Sequence, residues 1–410
     1  MAKSVLLIAF HFPPQSGSSG VQRTLAFCRY LPTHNWQPLM LSAQPQAYPV
    51  SATDLLQDIP ADTVVQRAFA LDSARHLSLK GHYLRLWALP DRWISWWFGA
   101  VPAGRRLLHR YRPQVIWSTY PIATAHLIGL TLHRLSGVPW VADLRDPMIS
   151  TGFPTDKLSL WVYRWIERQV VRHSSRVVCT TPGAVRDYQR RYPEAPPEKF
   201  VVIENGYDEH SFPSGPEPVP PAGPFLLLHS GVVYPAERDP ACLFQALADL
   251  RSEGLLSSKQ FCLLLRATAH DRRISEQVQQ YGLADMVRIE PPIHYRAALA
   301  EMMQAHGLLI LQGSSCNAQI PAKLYEYIRS GRPILALTDL AGDTATALSG
   351  CSSAVVAPLD DVAAIRATLL AFLDKVRTGQ LPPPPMAERQ AASRQSRATQ
   401  LAELLDQVAQ

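Results

Sequence analysis

Thirteen short apolar runs, most of them followed by a segment of helical length, pass along this chain in two series, and that alternation limits the fold more than any other feature. The first series falls at residues 5–10, 38–41, 64–65, 115–118, 138–142, 177–180 and 200–203. The second falls at 225–229, 261–265, 287–289, 308–311, 334–337 and 354–356. Strands that alternate with helices return in the same direction, so each series predicts a mainly parallel, doubly wound sheet of the α/β class. Between them nine prolines lie within residues 193–224, six in the last twelve, where neither a helix nor a central strand can continue. The expected organisation is two tandem Rossmann-like domains, residues 1–204 and 225–381, joined by a proline-rich linker at 205–224. Four prolines at 382–385 form a stiff spacer, and 386–410 read as a final helix that packs back on the first domain.

At 410 residues and 47% hydrophobic content, each domain has enough apolar chain for its own core. The six cysteines (Cys28, Cys179, Cys242, Cys262, Cys316, Cys351) lack the paired short spacings of a zinc or redox site, which fits free thiols in a reducing cytosol. The first apolar run is too short for a secretory signal. Residues 113–133 contain no Asp, Glu, Lys or Arg, yet Pro121 and two histidines divide them into strand and helix, so no transmembrane segment is expected. The net charge of +6 is uneven: residues 1–210 hold 23 Lys/Arg against 15 Asp/Glu, and residues 211–410 hold 17 against 19. The basic half is expected to face an anionic partner.

Residues 319–335 carry the densest chemistry. Pro321 suits a first helical turn, Lys323 and Glu326 lie three apart on one helical face, and Gly331 ends the helix before Pro333 and the next apolar run. Such a pair suits a nucleoside diphosphate sugar, because an ammonium neutralises the diphosphate while a carboxylate accepts both ribose hydroxyls. The competing reading is a solvated surface ion pair. Gly17 and Gly20 would let backbone amides approach an anion at the N-terminus of the first helix, or belong to an open loop after Pro13 and Pro14. Gly231 offers a diphosphate the same approach in the second domain, or forms a plain turn. Asp143 and Asp146 flank Arg145 just past the run 138–142, at the carboxyl edge where open α/β sheets bind ligands. A carboxylate there would orient or deprotonate an acceptor hydroxyl; the alternative is an internal Arg–Asp clamp. His11 is a candidate acceptor contact, while His126 and His229 read equally well as structural histidines.

In their order and spacing these motifs resemble the nucleotide-sugar-dependent glycosyltransferases of the GT-B fold, specifically the large retaining family 4. The opening strand followed by Pro13, Pro14, Gly17, Gly20 and then Val-Gln-Arg-Thr looks like that family's first loop. Residues 143–147 (Asp-Leu-Arg-Asp-Pro) are similar to the strand-end motif of its polysaccharide-assembly members, and 202–208 (Val-Ile-Glu-Asn-Gly-Tyr-Asp) to its signature ahead of the second domain. His229-Ser230-Gly231 and residues 323–333 resemble the donor-binding loop and the acid-bearing helix. The chain departs from the pattern at two points. Ala318 stands where the family often has the first of two glutamates, Glu326 matching the second, and Arg238 is the only cation near the donor loop.

The resemblance implies two domains facing a cleft. It implies a UDP- or GDP-sugar donor held through Gly231, Arg238, Lys323, Leu324 and Glu326, and an acceptor or phosphate loop built from His11, Gly17, Gly20 and Arg145. The implied chemistry is transfer with retention, with Asp143, Asp146 and Lys323 as catalytic candidates and the departing diphosphate stabilised as the sugar becomes oxocarbenium-like. No Asp-x-Asp motif occurs, so neither a metal nor any cofactor beyond the donor is expected. The acceptor is expected to be lipid-linked or an oligosaccharide, in polysaccharide, lipopolysaccharide or glycolipid assembly. A nucleotide-sugar epimerase and a non-catalytic scaffold of the same fold are the competing readings. A dinucleotide-dependent oxidoreductase is disfavoured, because neither domain has a Gly-x-Gly-x-x-Gly fingerprint followed by a ribose-binding acid.

Residues 73–112 add a separate signal. Eight cations (Arg75, Lys80, Arg85, Arg92, Arg105, Arg106, Arg110, Arg112) face one acid, Asp91, and are interleaved with Trp87, Trp93, Trp96, Trp97 and Phe98. Indole prefers the headgroup boundary and cations prefer anionic lipid, so a membrane contact through Arg92, Trp93, Trp96, Trp97, Arg105 and Arg106 is expected, on the cytoplasmic side of the cell membrane. The competing reading places these tryptophans in the core. No nucleic-acid recognition motif accompanies the patch, so no nucleic-acid partner is expected.

Overall fold

The computed structural model describes the chain apart from residues 1–2, 16–18, 54, 80–81, 151–152, 217 and 236. The chain divides into two compact units, one made of residues 1–205 and 394–410, the other of residues 206–393. In the first unit the strands are β1 (Lys3–Ile8), β2 (Trp36–Ala43), β3 (Val64–Ala68), β4 (Val115–Thr119), β5 (Trp140–Leu144), β6 (Arg176–Cys179) and β7 (Phe200–Val202). They pair in parallel in the order β3-β2-β1-β4-β5-β6-β7.

Side chains along a strand alternate between faces, and here both faces are covered, which is why the runs are apolar throughout. Leu6 and Ile8 enter a core shared with the helices Trp96–Tyr111, Ala123–Ser136 and Lys157–His173. Val5 and Leu7 enter another, closed by the helices Ser19–Tyr30 and Arg394–Val408.

The second unit repeats the plan with β8 (Phe225–Ser230), β9 (Phe261–Arg266), β10 (Val287–Glu290), β11 (Gly307–Gln312), β12 (Ile334–Thr338) and β13 (Ala354–Ala357). The order is β10-β9-β8-β11-β12-β13, again parallel. Leu309 and Leu311 pack with the helices Ala241–Ser252 and Val362–Arg377, whereas Leu308 and Ile310 pack with Tyr295–Gln304 and Lys323–Ser330. In each sheet the winding reverses once, at β1/β4 and at β8/β11. Crossover helices diverge there, so the crevice beyond the strand ends is the place a ligand can enter.

Two segments differ from expectation. The stretch 205–224 is not a free linker from its start: Tyr207 and Phe212 are buried in the core of the second unit, and Arg329 Nε donates to Glu209 Oε2 at 2.6 Å. The single helix expected at 386–410 is two, Met386–Ala391 in the second unit and Arg394–Val408 in the first. Only the latter supplies the closing face, through Ala398, Leu401, Leu404 and Leu405. Among the described residues no helix is long and apolar enough to cross a membrane.

All nine tryptophans lie between Trp36 and Trp165, so intrinsic fluorescence reports the first unit alone. Leu405→Ala removes a fully buried side chain of the closing helix. It should lower the stability of that unit by about 2–5 kcal/mol, read as an earlier urea midpoint in tryptophan emission.

Candidate active site

In the second unit β8 ends on His229 and Ser230, and Gly231 follows. Gly231 has φ +122°, and a Cβ there would lie 2.9 Å from Lys323 Nζ. Only glycine permits both the backbone angle and this approach of the ammonium to the strand end. Lys323 opens its helix, while Leu324, Tyr325, Tyr327 and Ile328 anchor that helix in the core and leave Lys323 and Glu326 on the less buried face. Leu324, 1% exposed, is therefore a packing residue, and its side chain is not placed to touch a donor.

His229 Nδ1 donates to the Leu309 carbonyl at 2.9 Å, which leaves Nε2 as an acceptor, and Lys323 Nζ lies 3.0 Å from it as donor. Burial, followed by the Lys323 charge, holds the His229 pKa well below its usual value, so the imidazole is neutral. Burial, and after it the Arg238 charge, pushes Lys323 down to about 7. Arg238 lies over the Tyr234 ring at 5.4 Å and donates through Nη1 to the Val232 carbonyl at 3.4 Å. Its Nε is buried with no hydrogen-bond partner among the described residues. Such an orphaned donor costs about 1–3 kcal/mol until an acceptor arrives, and an anionic oxygen fits it best. Tyr295 Oη donates to Glu326 Oε1 at 2.7 Å, and Tyr327 Oη accepts from the Ser230 amide at 3.1 Å, tying the helix to the strand end. Nothing in the sequence marks Tyr295 or Tyr327.

In the first unit the crevice at β1/β4 is lined by Phe10, His11, Gly20, Thr119, Tyr120, Pro121, Ile122 and Arg145. Arg145 lies flat on the first helix, where a Cβ on Gly20 would be 2.6 Å from Nη2, and its Nε donates to the Tyr120 carbonyl at 2.9 Å. Burial, reinforced by Arg145, pushes the pKa of His11 down to about 3. His11, Gly20 and Arg145 thus come together, while Gly17 lies outside the described residues.

The two aspartates separate. Asp143 is not past the strand but within β5 and fully buried; Arg23 donates to both its oxygens, at 3.2 and 3.0 Å, and Thr119 Oγ1 donates to Oδ2 at 2.9 Å. With its acceptor capacity turned inward, Asp143 cannot reach an acceptor hydroxyl and acts as an anchor for Arg23. That arginine also donates to the carbonyls of Ile203 and Glu204, at 3.0 and 2.7 Å. The sequence marks it only as part of the Val-Gln-Arg-Thr stretch one turn after Gly20, and nothing there points to Asp143. Asp146 is exposed, its Oδ2 4.0 Å from Arg145 Nη2. Among the described residues no three His, Cys, Asp or Glu side chains converge as a metal site requires.

The expected membrane contact is largely internal. Trp96 is fully buried, Arg92 is ion-paired with Asp72, Trp93 Nε1 donates to the Ala47 carbonyl at 3.0 Å, and Trp97 Nε1 donates to Thr131 Oγ1 at 3.0 Å. Trp93 and Trp97, whose indole N–H groups are satisfied inside the protein, and Trp96, wholly enclosed, are held by the core rather than offered to a headgroup. Arg105 and Arg106 are exposed, and Lys80 lies outside the described residues.

Residues 54–206 match the family described as glycosyl transferase 4-like domain. Over 180 residues the chain is 29% identical to a D-inositol 3-phosphate glycosyltransferase of Kineococcus radiotolerans, a match covering 38% of this chain and 41% of that protein. Among solved structures, Anabaena HepE in complex with UDP superposes with a TM-score of 0.68 at 15% identity, over 99% of this chain and 100% of the other. Sucrose-phosphate synthase from Thermosynechococcus elongatus does so at 0.65 and 16%, over 99% and 98%. The chain has the GT-B fold of these structures, and its residues 54–206 match the glycosyl transferase 4-like domain family.

Proposed function

We propose that this protein is a retaining glycosyltransferase that moves a sugar from a nucleotide diphosphate donor, a UDP-sugar foremost, to a lipid-linked or oligosaccharide acceptor in surface polysaccharide or glycolipid assembly at the cytoplasmic face of the membrane. The observation that carries the reading is the cluster at β8/β11, where Gly231 admits Lys323 to the strand end beside Arg238 with its unpartnered Nε. Lys323 and Arg238 would meet the diphosphate, and Glu326, held by Tyr295, would accept from the ribose hydroxyls. As the anomeric bond breaks, negative charge grows on the leaving diphosphate, and cations already fixed in place stabilise it without reorganisation. His229 keeps Lys323 aimed while adding no charge of its own. The UDP bound by HepE supports the choice of nucleotide, and the exposed Asp146 is the carboxylate free to assist an acceptor.

A thermal-shift panel of UDP-, GDP- and dTDP-sugars should stabilise the protein with one nucleotide class, and Glu326→Ala should abolish the shift. No shift with any of them would favour a non-catalytic scaffold, and release of a free sugar isomer in place of a glycoside would favour an epimerase. Lys323→Ala should lower turnover on the order of 10²-fold without moving the unfolding transition.

Titration of Lys323 gives binding a pH signature. At pH 8 the free amine is mostly neutral, because its pKa is about 7, and an arriving diphosphate raises that pKa by opposite charge. Binding therefore takes up a proton above pH 7, and affinity weakens as pH rises further. Calorimetry of UDP binding at pH 8 in two buffers of different ionisation enthalpy should give different heats. The difference should vanish in Lys323→Met.

The aspartates are distinguished by what each loses. Asp143→Ala leaves Arg23 buried and unpaired and should destabilise the first unit by about 3–5 kcal/mol. Asp146→Asn should leave the unfolding midpoint unchanged and lower turnover.

A further inference from the structure

The helix Lys157–His173 presents to solvent a face that neither the donor cluster nor the crevice at β1/β4 uses. Lys157, Trp161, Arg164, Trp165, Arg168 and Arg172 are all exposed, and recur at helical spacing. Trp161 is 65% and Trp165 43% exposed, unusually high for indole. The one acid in the helix, Glu167, is fully buried and held by Arg191 and Tyr192. Asp156, which caps the helix, is paired with Arg85. The exposed face therefore carries cations and indoles with no carboxylate among them.

Two neighbouring features point the same way. An apolar groove of about 530 Å³ opens beside the helix, lined chiefly by Ile94, Trp97, Leu127, Leu130, Leu135 and Trp165, with Arg134 at its edge. Arg134 makes its side-chain hydrogen bonds to neutral partners, Gln169 and His173, both at 3.0 Å. The pKa of His173 is lowered by burial and then by Arg134 and Arg172, as expected where positive charges crowd together uncompensated.

We propose that this face docks on an anionic lipid bilayer, with Trp161 and Trp165 at the headgroup boundary, the arginines on lipid phosphates, and one acyl chain in the groove. Indole favours that boundary, and arginine stems lie along apolar surface while their heads reach phosphate. Exposed tryptophans flanking an apolar groove favour lipid over nucleic acid, which would find here no recognition motif. The inference places the membrane contact on a different helix from the one the sequence suggests. It extends the proposed lipid-linked acceptor but does not depend on the donor chemistry.

The test is co-sedimentation of the full chain with phosphatidylcholine–phosphatidylglycerol vesicles against phosphatidylcholine alone. Binding should require the anionic lipid and fall about fivefold for each cation neutralised, as in Arg164→Gln and Arg168→Gln. It should also fall in Trp161→Ser/Trp165→Ser, and chain-brominated phosphatidylglycerol should quench the tryptophan emission of the wild type. All these residues are exposed, so unchanged urea midpoints should accompany the loss, and UDP thermal shifts measured without vesicles should be unaffected. Equal binding to neutral vesicles, no binding, or binding without quenching would overturn the proposal. So would loss of binding in Arg105→Glu/Arg106→Glu alone, or a dimer that Trp161→Ser dissociates with no affinity for vesicles. A failed UDP shift with intact vesicle binding would sink the transferase reading and leave this one standing.

Discussion

A parallel sheet whose strands return through helices can be wound outward in two directions only by starting from its middle, and that constraint organises both units. At β1/β4 and β8/β11 the crossovers leave toward opposite edges, so no helix lies over the strand ends between them. The candidate site residues of each unit collect in that gap for the same reason. A strand fixes the position of its last residue, and the next few residues are the first free to turn toward a ligand. His11 and Tyr120 follow strands of the first unit in this way, and Gly231 follows β8 in the second.

The two gaps share an electrostatic arrangement. Each places a histidine kept neutral by burial next to a cation: His11 by Arg145, and His229 by Lys323. A carboxylate in the histidine's place would steady the cation too, but would also neutralise it. At β8/β11 the neutral imidazole orients Lys323 without neutralising it, whereas at β1/β4 Arg145 also has Asp146 4.0 Å away. The cost appears in the lowered pKa of Lys323 and in the buried Nε of Arg238, both of which an anionic ligand would relieve. Where full neutralisation is structural, a carboxylate is present, as with Arg23 and Asp143.

How far the sequence reveals this depends on the range of the interaction. The thirteen strands were legible because burial on both faces leaves continuous apolar runs, and Lys323 with Glu326 because three residues on a helix are neighbours by geometry. The pairing of Lys323 with His229 spans 94 residues, and that of Arg23 with Asp143 spans 120, so no local pattern announces either. The same blindness explains the strand end at β5: a carboxylate looks like the start of a loop unless one knows that a distant arginine enters to neutralise it. Tryptophans mislead in another way, because core and membrane interface select them alike. Trp96 and Trp161 differ only in which side of a helix meets the sheet, and their composition is silent about that.

The first unit is assembled from two separated stretches, with the whole of the second unit lying between them in the chain. During synthesis the ribosome therefore completes residues 206–393 before Leu401, Leu404 and Leu405 exist to cover Val5, Phe27 and Trp36. At about 5–20 residues per second, the nascent first sheet waits some ten seconds or more with one apolar face covered only by the helix Ser19–Tyr30. The native core of the first unit is therefore complete only once residues 394–410 have followed the second unit.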